Sequence, residues 1–125
     1  MKKAVFLAGI LLGLGNAVAG TIEAPAPRVE IKTRLGSIVI EIYPDKAPVT
    51  AQNFLSYVHK GLFKGGNFYR TVRLDNQPDA EFRIEVIQGG LIMNPKAKRL
   101  PAIPHETTEL TGLKHTDGVI SMARS

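Results

Sequence analysis

In the stretch RVEIKTRLGSIVIEIY, residues 28–43, apolar residues recur at every second position, a pattern typical of paired β-strands. Isoleucine occupies every second position from Ile38 to Ile42, as expected where successive side chains point to opposite faces of a sheet. The triplet Arg-Leu-Gly at 34–36 separates this run from VEIKT and supplies a glycine for a tight turn. We therefore predict a β-hairpin and place the start of the folded domain near Arg28.

The next segment, residues 45–61, changes to a helical period. Pro48 suits the first turn of a helix, and Gly61 suits the position just past its end. We predict an amphipathic helix over 48–60, with His59 as a surface cation near its C-terminus rather than a ligand. The apolar positions that recur at spacings of three and four are Ala51, Phe54, Leu55, Val58 and Leu62.

Strand patterns return after the helix, which favours a mainly β fold. We predict strands at NFYRTVR (67–73) and FRIEVIQ (82–88), paired with each other and separated by the polar insert LDNQPDAE. Prolines and glycines break up residues 91–118, and GVISMA (118–123) is predicted to begin another strand. Because a strand cut near its middle leaves an unpaired edge, we expect the sequence to be truncated there.

The first residues differ in character from the rest. MKK provides a basic start, AVFLAGILLGLG an apolar run short for a bilayer span, and AVA at 17–19 a small-x-small cleavage pattern. We interpret 1–19 as a signal peptide, 20–27 as a linker and 28–125 as a single domain, in preference to a buried N-terminal helix. We expect export to the periplasm, without membrane insertion after cleavage.

Composition excludes several kinds of site. The chain of 125 residues has no cysteine, so disulfides, thiolate catalysis and cysteine-bound zinc are ruled out. Its net charge is +5, but the basic cluster KAKR at 96–99 has no interleaved aromatics, and we predict no nucleic-acid binding. His105 with Glu106 and His115 with Asp117 lack the spacing of zinc ligands. We expect no metal and no cofactor.

Arg70 is the residue that most needs an explanation. On a regular strand it would share a face with Phe68 and Val72, where a charge is costly. One interpretation is structural, with the guanidinium paired to Glu81 or Glu85. The other is functional, and the residues alone do not decide between them.

The order of hairpin, helix, FYRTV, VIQGG, HET and DGVISMAR resembles the cyclophilin family of peptidyl-prolyl cis-trans isomerases, specifically its exported bacterial members. The resemblance runs from about Val29 to Ser125. It implies a closed antiparallel eight-stranded β-barrel capped by helices, incomplete here at the C-terminus. In the family, a Ser-Gln-Phe-Phe-Ile-like strand, aromatic pocket residues and a second helix follow the point where this sequence ends.

The resemblance implies that Arg70 is the catalytic residue, and the chemistry is consistent with that role. Rotation about an X-Pro bond crosses a barrier of roughly 20 kcal/mol, and in the twisted state the proline nitrogen regains a lone pair. A fixed N–H donor aimed at this nitrogen stabilises the twisted state more than either planar state. Guanidinium is always charged and presents several donors in a rigid fork.

The resemblance also implies a set of substrate-binding residues. Gln88 aligns with the glutamine that hydrogen-bonds the substrate backbone and holds the arginine, because an amide both donates and accepts. Two glycines after it allow a close backbone approach, and the last strand would pair with the bound peptide. The full set is Tyr69, Val86, Gln88, Gly89, Gly90, Met122, Ala123 and Arg124.

The sequence departs from the family pattern at several of these positions. Tyr69 stands where a histidine is usual, and Arg124 stands where cytosolic relatives have asparagine. Glu85 and Val86 stand where the family has a phenylalanine and a methionine that line the proline pocket. The link from Arg70 to Gln88, which contains the pocket positions 82–87, is also longer than is usual in the family.

The leading functional hypothesis is a peptidyl-prolyl cis-trans isomerase that assists folding of exported proteins, where uncatalysed X-Pro rotation takes tens to hundreds of seconds. Its partners would be proline-containing polypeptides, and we expect a monomer. One alternative is a non-catalytic module that binds proline peptides or acts as a chaperone. Another is an inactive fragment.

Cleavage after Ala19 gives the first testable prediction, because the small-x-small pattern ends there. We expect mass spectrometry of the periplasmic fraction to show a mature protein that begins at Gly20. A product that retains Met1 and stays with the cytosol would contradict both the cleavage site and the export.

Overall fold

The computed structural model describes residues 25–123. The predicted signal peptide, residues 1–19, lies outside the described residues, as do residues 20–24 of the predicted linker and Arg124. Within 25–123, no helix has both the length and the apolar character needed to cross a bilayer.

The predicted hairpin is confirmed. Strands β1 (Arg28–Thr33) and β2 (Gly36–Glu41) pair antiparallel, so that the first residue of β1 lies opposite the last of β2. The tight turn needs glycine, because Gly36 has a φ of +135°. The Thr33 hydroxyl reinforces the turn by accepting from the Leu35 N–H at 3.1 Å and donating to the Gly36 carbonyl at 2.8 Å.

The predicted helix is also confirmed, as α1 (Pro48–His59). Pro48 occupies its first turn, and Gly61 follows its end with a left-handed φ of +62°. Ala51 is the buried residue of the helix, while the other apolar positions are half-buried. The half-buried residues run continuously over 53–58 and include the polar Asn53 and Ser56, so α1 is shielded from water only in part.

A glutamate distant in sequence caps the N-terminus of α1. Ala47, the residue before the helix, offers no capping side chain. Instead, Glu106 accepts from the Val49 N–H at 3.1 Å and from the Thr50 N–H at 2.7 Å. These are two of the backbone donors that a helix leaves unpaired in its first turn. The bond from the Thr50 backbone, opposed by partial burial, lowers the pKa of Glu106.

The second sheet consists of β3 (Asn67–Val72) and β4 (Val86–Gly90), which pair antiparallel as predicted. The prediction that the second strand begins at Phe82 is wrong, because β4 begins four positions later. The Gln77 side chain explains this difference. It bonds both the N–H and the carbonyl of Ile84, at 3.2 and 2.7 Å, so it takes the place of a neighbouring strand there.

One short helix was not predicted from the sequence. The segment from 91 to 118 was expected to be irregular, but it contains α2 (Thr108–Thr111). The Thr107 side chain caps α2 by accepting from the Leu110 N–H at 3.4 Å, and Gly112 ends it with a φ of +70°.

The predicted strand at 118–123 is wrong for the residues described, since no strand is assigned over 119–123. A β-strand needs a neighbour for its backbone N–H and C=O groups, and this segment has none within 25–123. The part of the chain that the structure covers forms two separate two-stranded sheets and no closed barrel.

The core of the described residues is small. Its buried side chains come from four different segments: Ile42, Ala51, Val72 and Leu91. An aromatic cluster adds to it, with the Phe63 ring 5.4 Å from the Phe54 ring and 5.1 Å from the Tyr57 ring. The Tyr57 hydroxyl accepts from the Leu100 N–H at 2.8 Å and so fixes the loop that crosses α1.

The capping carboxylate predicts a specific acid sensitivity. The lowered pKa of Glu106 means that its contribution to stability is present above the ordinary value of 4.5 and is lost as the pH falls through the folded value. We expect Glu106→Gln to be less stable than wild type at pH 7, and the difference to shrink as the pH is lowered below 4.5. Urea unfolding across this pH range measures it.

Glu109→Gln is the matched control, because Glu109 is an exposed glutamate only three residues away. It should leave the pH dependence of wild type unchanged. A difference between wild type and Glu106→Gln that stays constant with pH would contradict the role of the Glu106 charge.

Candidate functional site

Arg70 and Gln88 lie directly opposite each other on β3 and β4. The Arg70 Nη1 donates to the Gln88 Oε1 at 3.0 Å. On the same face, two positions along, the buried Val72 pairs with the half-buried Val86. This face of the sheet therefore carries the apolar pair Val72–Val86 and, beside it, the exposed Arg70 guanidinium bonded to the Gln88 amide.

The guanidinium of Arg70 keeps most of its donors available. Within residues 25–123, the ion pairs are Arg28 with Glu41, Lys32 with Glu30 and Arg73 with Asp75. The structural interpretation, in which Arg70 pairs with Glu81 or Glu85, is therefore wrong for the residues described. Arginine has five N–H donors, and Gln88 occupies one of them. Because the Arg70 side chain is exposed, its other N–H donors can bond a ligand.

A β-bulge lies immediately before Arg70. Phe68 pairs with Gly89 and Arg70 with Gln88, so two steps on β3 match one step on β4 and Tyr69 is the additional residue. The bulge breaks the strict alternation that the sequence suggested for Phe68 and Arg70. Arg70 still shares a face with Val72, but its side chain is exposed, so its charge stays in water and the expected cost of burying it does not arise.

Gly89 and Gly90 differ in what they allow. A Cβ on Gly89 would lie 2.8 Å from the Phe68 ring, so the missing side chain lets this ring lie against β4. Gly90 has open space around it but a φ of +144°, which side chains disfavour. Gly89 thus permits the Phe68 ring to approach β4 closely, and Gly90 permits the backbone to turn away at the end of β4.

Of the other predicted substrate-binding residues, only some lie on the same face as Arg70 and Gln88. Val86 lies on the same face as Gln88, whereas Glu85 is exposed and lies just before β4. Met122 contacts α1 instead, where its Sδ accepts from the Asn53 Nδ2 at 3.5 Å. Within residues 25–123, no hydrogen bond joins Met122 or Ala123 to β3 or β4. Arg124 lies outside the described residues.

Other clusters in the described part of the chain offer no competing chemistry. No group of three His, Asp or Glu side chains there is arranged to hold a metal ion. Two shallow depressions exist, one along α1 between Pro48 and Ser56 and the other between Pro25 and Lys46, and neither is lined by Arg70 or Gln88. The exposed Arg70–Gln88 face therefore remains the candidate site.

Two residues with structural roles were missed from the sequence. Glu106 was considered only as a possible metal ligand, and Gln77 only as part of a polar insert. Each side chain bonds backbone groups that local structure leaves unpaired. The one available signal was Pro48 at a helix start with no capping side chain before it, which implies a cap from elsewhere.

Comparison with known proteins gives a consistent result. Residues 28–125 match the family described as cyclophilin type peptidyl-prolyl cis-trans isomerase/CLD. A peptidyl-prolyl cis-trans isomerase of Acinetobacter baylyi is 34% identical over 125 residues, which is 100% of this chain and 58% of that protein. Peptidyl-prolyl cis-trans isomerase B of Escherichia coli is 33% identical over 97 residues, which is 78% of this chain and 53% of that protein.

The chain thus spans little more than half the length of these relatives. A similar protein of Streptomyces antibioticus is 31% identical over 97 residues, with 78% of this chain and 52% of that protein covered. No solved structure matches the chain.

The two glycines predict different responses to substitution. We expect Gly90→Ala to destabilise the protein by about 1–3 kcal/mol, because its backbone conformation strains any side chain. Gly89→Ala should cost less, since the Phe68 ring that a Cβ would meet is 45% exposed and can turn away. Urea unfolding of both variants tests the order, and a larger cost for Gly89→Ala would mean that the Phe68 ring is fixed in place.

Proposed function

The chain belongs to the family of cyclophilin-type peptidyl-prolyl cis-trans isomerases, and on this premise we propose that it accelerates rotation about X-Pro bonds, with Arg70 as the catalytic residue. The observation that carries the proposal is the 3.0 Å hydrogen bond from the Arg70 Nη1 to the Gln88 Oε1. It orients a permanently charged fork of donors on an exposed sheet face.

The proposed mechanism needs no proton transfer and no covalent intermediate. When the X-Pro bond twists, conjugation is lost and the proline nitrogen becomes a hydrogen-bond acceptor. An N–H of Arg70 aimed at that nitrogen makes a bond that neither planar isomer can make, so it lowers the barrier in both directions. The fork geometry matters because the donor must be in position before the bond twists.

In this mechanism Gln88 is a positioning and binding residue. Its Oε1 is engaged with Arg70, which leaves its Nε2 as a donor for a carbonyl of the substrate. We assign Tyr69, Val86, Gly89 and Gly90 to the same surface from their places on β3 and β4. Met122, Ala123 and Arg124 are proposed to contact substrate by resemblance.

We also propose that the two sheets are parts of a closed eight-stranded antiparallel barrel. Both are antiparallel pairs, and both have large apolar side chains that are exposed to solvent: Ile38 and Val39 on β2, Phe68 on β3 and Ile87 on β4. Apolar strand faces of this kind are normally covered by further strands or helices.

The proposed substrates are proline-containing segments of exported proteins in the periplasm, bound by a monomer. The leader-like sequence at 1–19 supports the location. A second candidate function is a non-catalytic module that binds proline peptides. The exposed Glu85 favours it, because a carboxylate cannot provide the apolar contact that a pocket phenylalanine provides.

Arg70→Lys distinguishes catalysis from binding. We expect kcat/KM in a protease-coupled assay with a prolyl peptide to fall about a hundredfold, the effect of losing about 3 kcal/mol from one oriented donor. A lysine ammonium keeps the charge but is a mobile point charge rather than a planar fork. Peptide affinity should change far less than the rate.

Arg34→Lys is the matched control, because Arg34 is an exposed arginine in the β1–β2 turn. It should leave both the rate and the affinity unchanged. Undiminished turnover by Arg70→Lys would remove Arg70 from the mechanism. Absence of turnover in the wild-type protein, together with peptide binding, would support the non-catalytic module.

A further inference from the structure

The segment that joins β3 to β4, residues 73–85, is a loop held by side-chain hydrogen bonds to its backbone. It begins with a 3-10 turn at Leu74–Asn76. Both polar atoms of the Asn76 amide stabilise this turn. Its Oδ1 accepts from the Arg73 N–H at 2.8 Å, and its Nδ2 donates to the Thr71 carbonyl at 3.1 Å. The Arg73 guanidinium pairs with Asp75 at 2.9 Å.

Gln77 closes the other half of the loop. Its Nε2 donates to the carbonyls of Arg73 and Ile84, each at 2.7 Å, and its Oε1 accepts from the Ile84 N–H at 3.2 Å. The half-buried amide thus joins the start of the loop to its end. As a result, both ends of the segment from Gln77 to Ile84 are joined to each other just before β4 begins.

This fixed loop exposes apolar side chains. Phe82 is 81% exposed and Ile84 is 55% exposed. A single exposed apolar residue is ordinary on a protein surface. Here, however, the loop carries three of them, since Leu74 is also 51% exposed. Phe82 and Ile84 are the two near β4, and Gln77 joins the two ends of the loop, so a ligand that contacts them has less of the entropy cost of ordering the loop to supply.

The loop is continuous with the candidate site. Ile84 is four residues before Gln88, and a polypeptide advances about 3.3 Å per residue when extended, so the two positions are at most about 13 Å apart. An extended substrate covers that distance with about four residues. Phe82 lies two positions further from Gln88 and is therefore at most about 20 Å from it. A short prolyl peptide presents side chains only beside the proline, whereas a longer polypeptide can span the whole of this distance.

We infer that the loop 73–85, closed by Gln77, is a second contact surface for the substrate polypeptide, and that Phe82 and Ile84 select substrates with apolar side chains about four residues away from the proline. The inference rests on the proposed function, since it assumes that a proline segment binds at Arg70 and Gln88. It adds a determinant of specificity that lies outside the reacting bond.

Phe82→Ala tests the inference in the purified protein, with two prolyl peptides as probes. One peptide has a single residue on each side of an Ala-Pro unit, and the other extends six residues to both sides with leucines four residues from the proline. We expect Phe82→Ala to lower kcat/KM about 5- to 10-fold on the long peptide, through a higher KM together with a lower kcat, and to leave the short peptide unchanged.

Leu35→Ala is the matched control, because Leu35 is fully exposed at the tip of the β1–β2 hairpin, away from β4. It should match wild type on both peptides. Gln77→Leu should also raise KM for the long peptide alone and should speed hydrogen exchange at the Ile84 N–H, whose partner it removes. A Gln77→Leu protein that fails to fold leaves Phe82→Ala, at an exposed position, as the deciding variant.

Equal kinetics of Phe82→Ala and wild type on the long peptide would overturn the inference, and so would an equal loss on both peptides. Direct binding of the long peptide, measured by fluorescence anisotropy, separates this result from a failure of the proposed activity. If wild type does not catalyse isomerisation but Phe82→Ala still weakens binding of the long peptide selectively, the contact surface stands and the isomerase proposal fails.

Discussion

The antiparallel pairing of β3 with β4 is the constraint on which the candidate site depends. It sets Arg70 opposite Gln88, so that the guanidinium and the amide meet without help from any other element. The bulge at Tyr69 then determines which face Arg70 occupies. Because a change of one residue in register would turn Gln88 to the opposite face, the geometry of the candidate site is a property of the strand pairing rather than of Arg70 alone.

Side chains that bond distant backbone groups hold the elements around this sheet. The buried core consists of few residues in the described part of the chain, so it cannot order the loops by packing alone. Glu106 caps α1, the Tyr57 hydroxyl holds the Leu100 N–H, and Gln77 closes the loop before β4. Each of these bonds pairs a backbone group that local structure leaves without a partner, and so it fixes a loop at a defined position.

The sequence predicts the local elements well because their signals are local. The period-2 pattern before Ile42, Pro48 at the helix start and the glycines at turns each act within a few residues, and the hairpin and α1 follow from them. The start of β4 could not be predicted, because the pattern from Phe82 onward is that of a strand, whereas β3 ends at Val72 and the Gln77 side chain bonds the Ile84 backbone in place of a strand. The strand expected at 118–123 failed for a related reason, since a strand forms only where a neighbour accepts its hydrogen bonds. Of the site, the Arg70–Gln88 contact was predictable from the family resemblance, but the bulge at Tyr69, just before Arg70, was not.

The exposure of Arg70 determines how such a site can work. A guanidinium in water is screened, so a hydrogen bond to a developing lone pair gains little there compared with the same bond in a medium of low dielectric constant. Val72 and Val86 lie beside Arg70 on the same face, and the Arg70 side chain itself is exposed. In the proposed mechanism the substrate must therefore cover the guanidinium, and the longer the segment that lies across β4 and the loop 73–85, the more completely it does so. On this proposal, binding contacts remote from the proline contribute to the rate as well as to affinity, because they strengthen the one interaction that exists only in the twisted state.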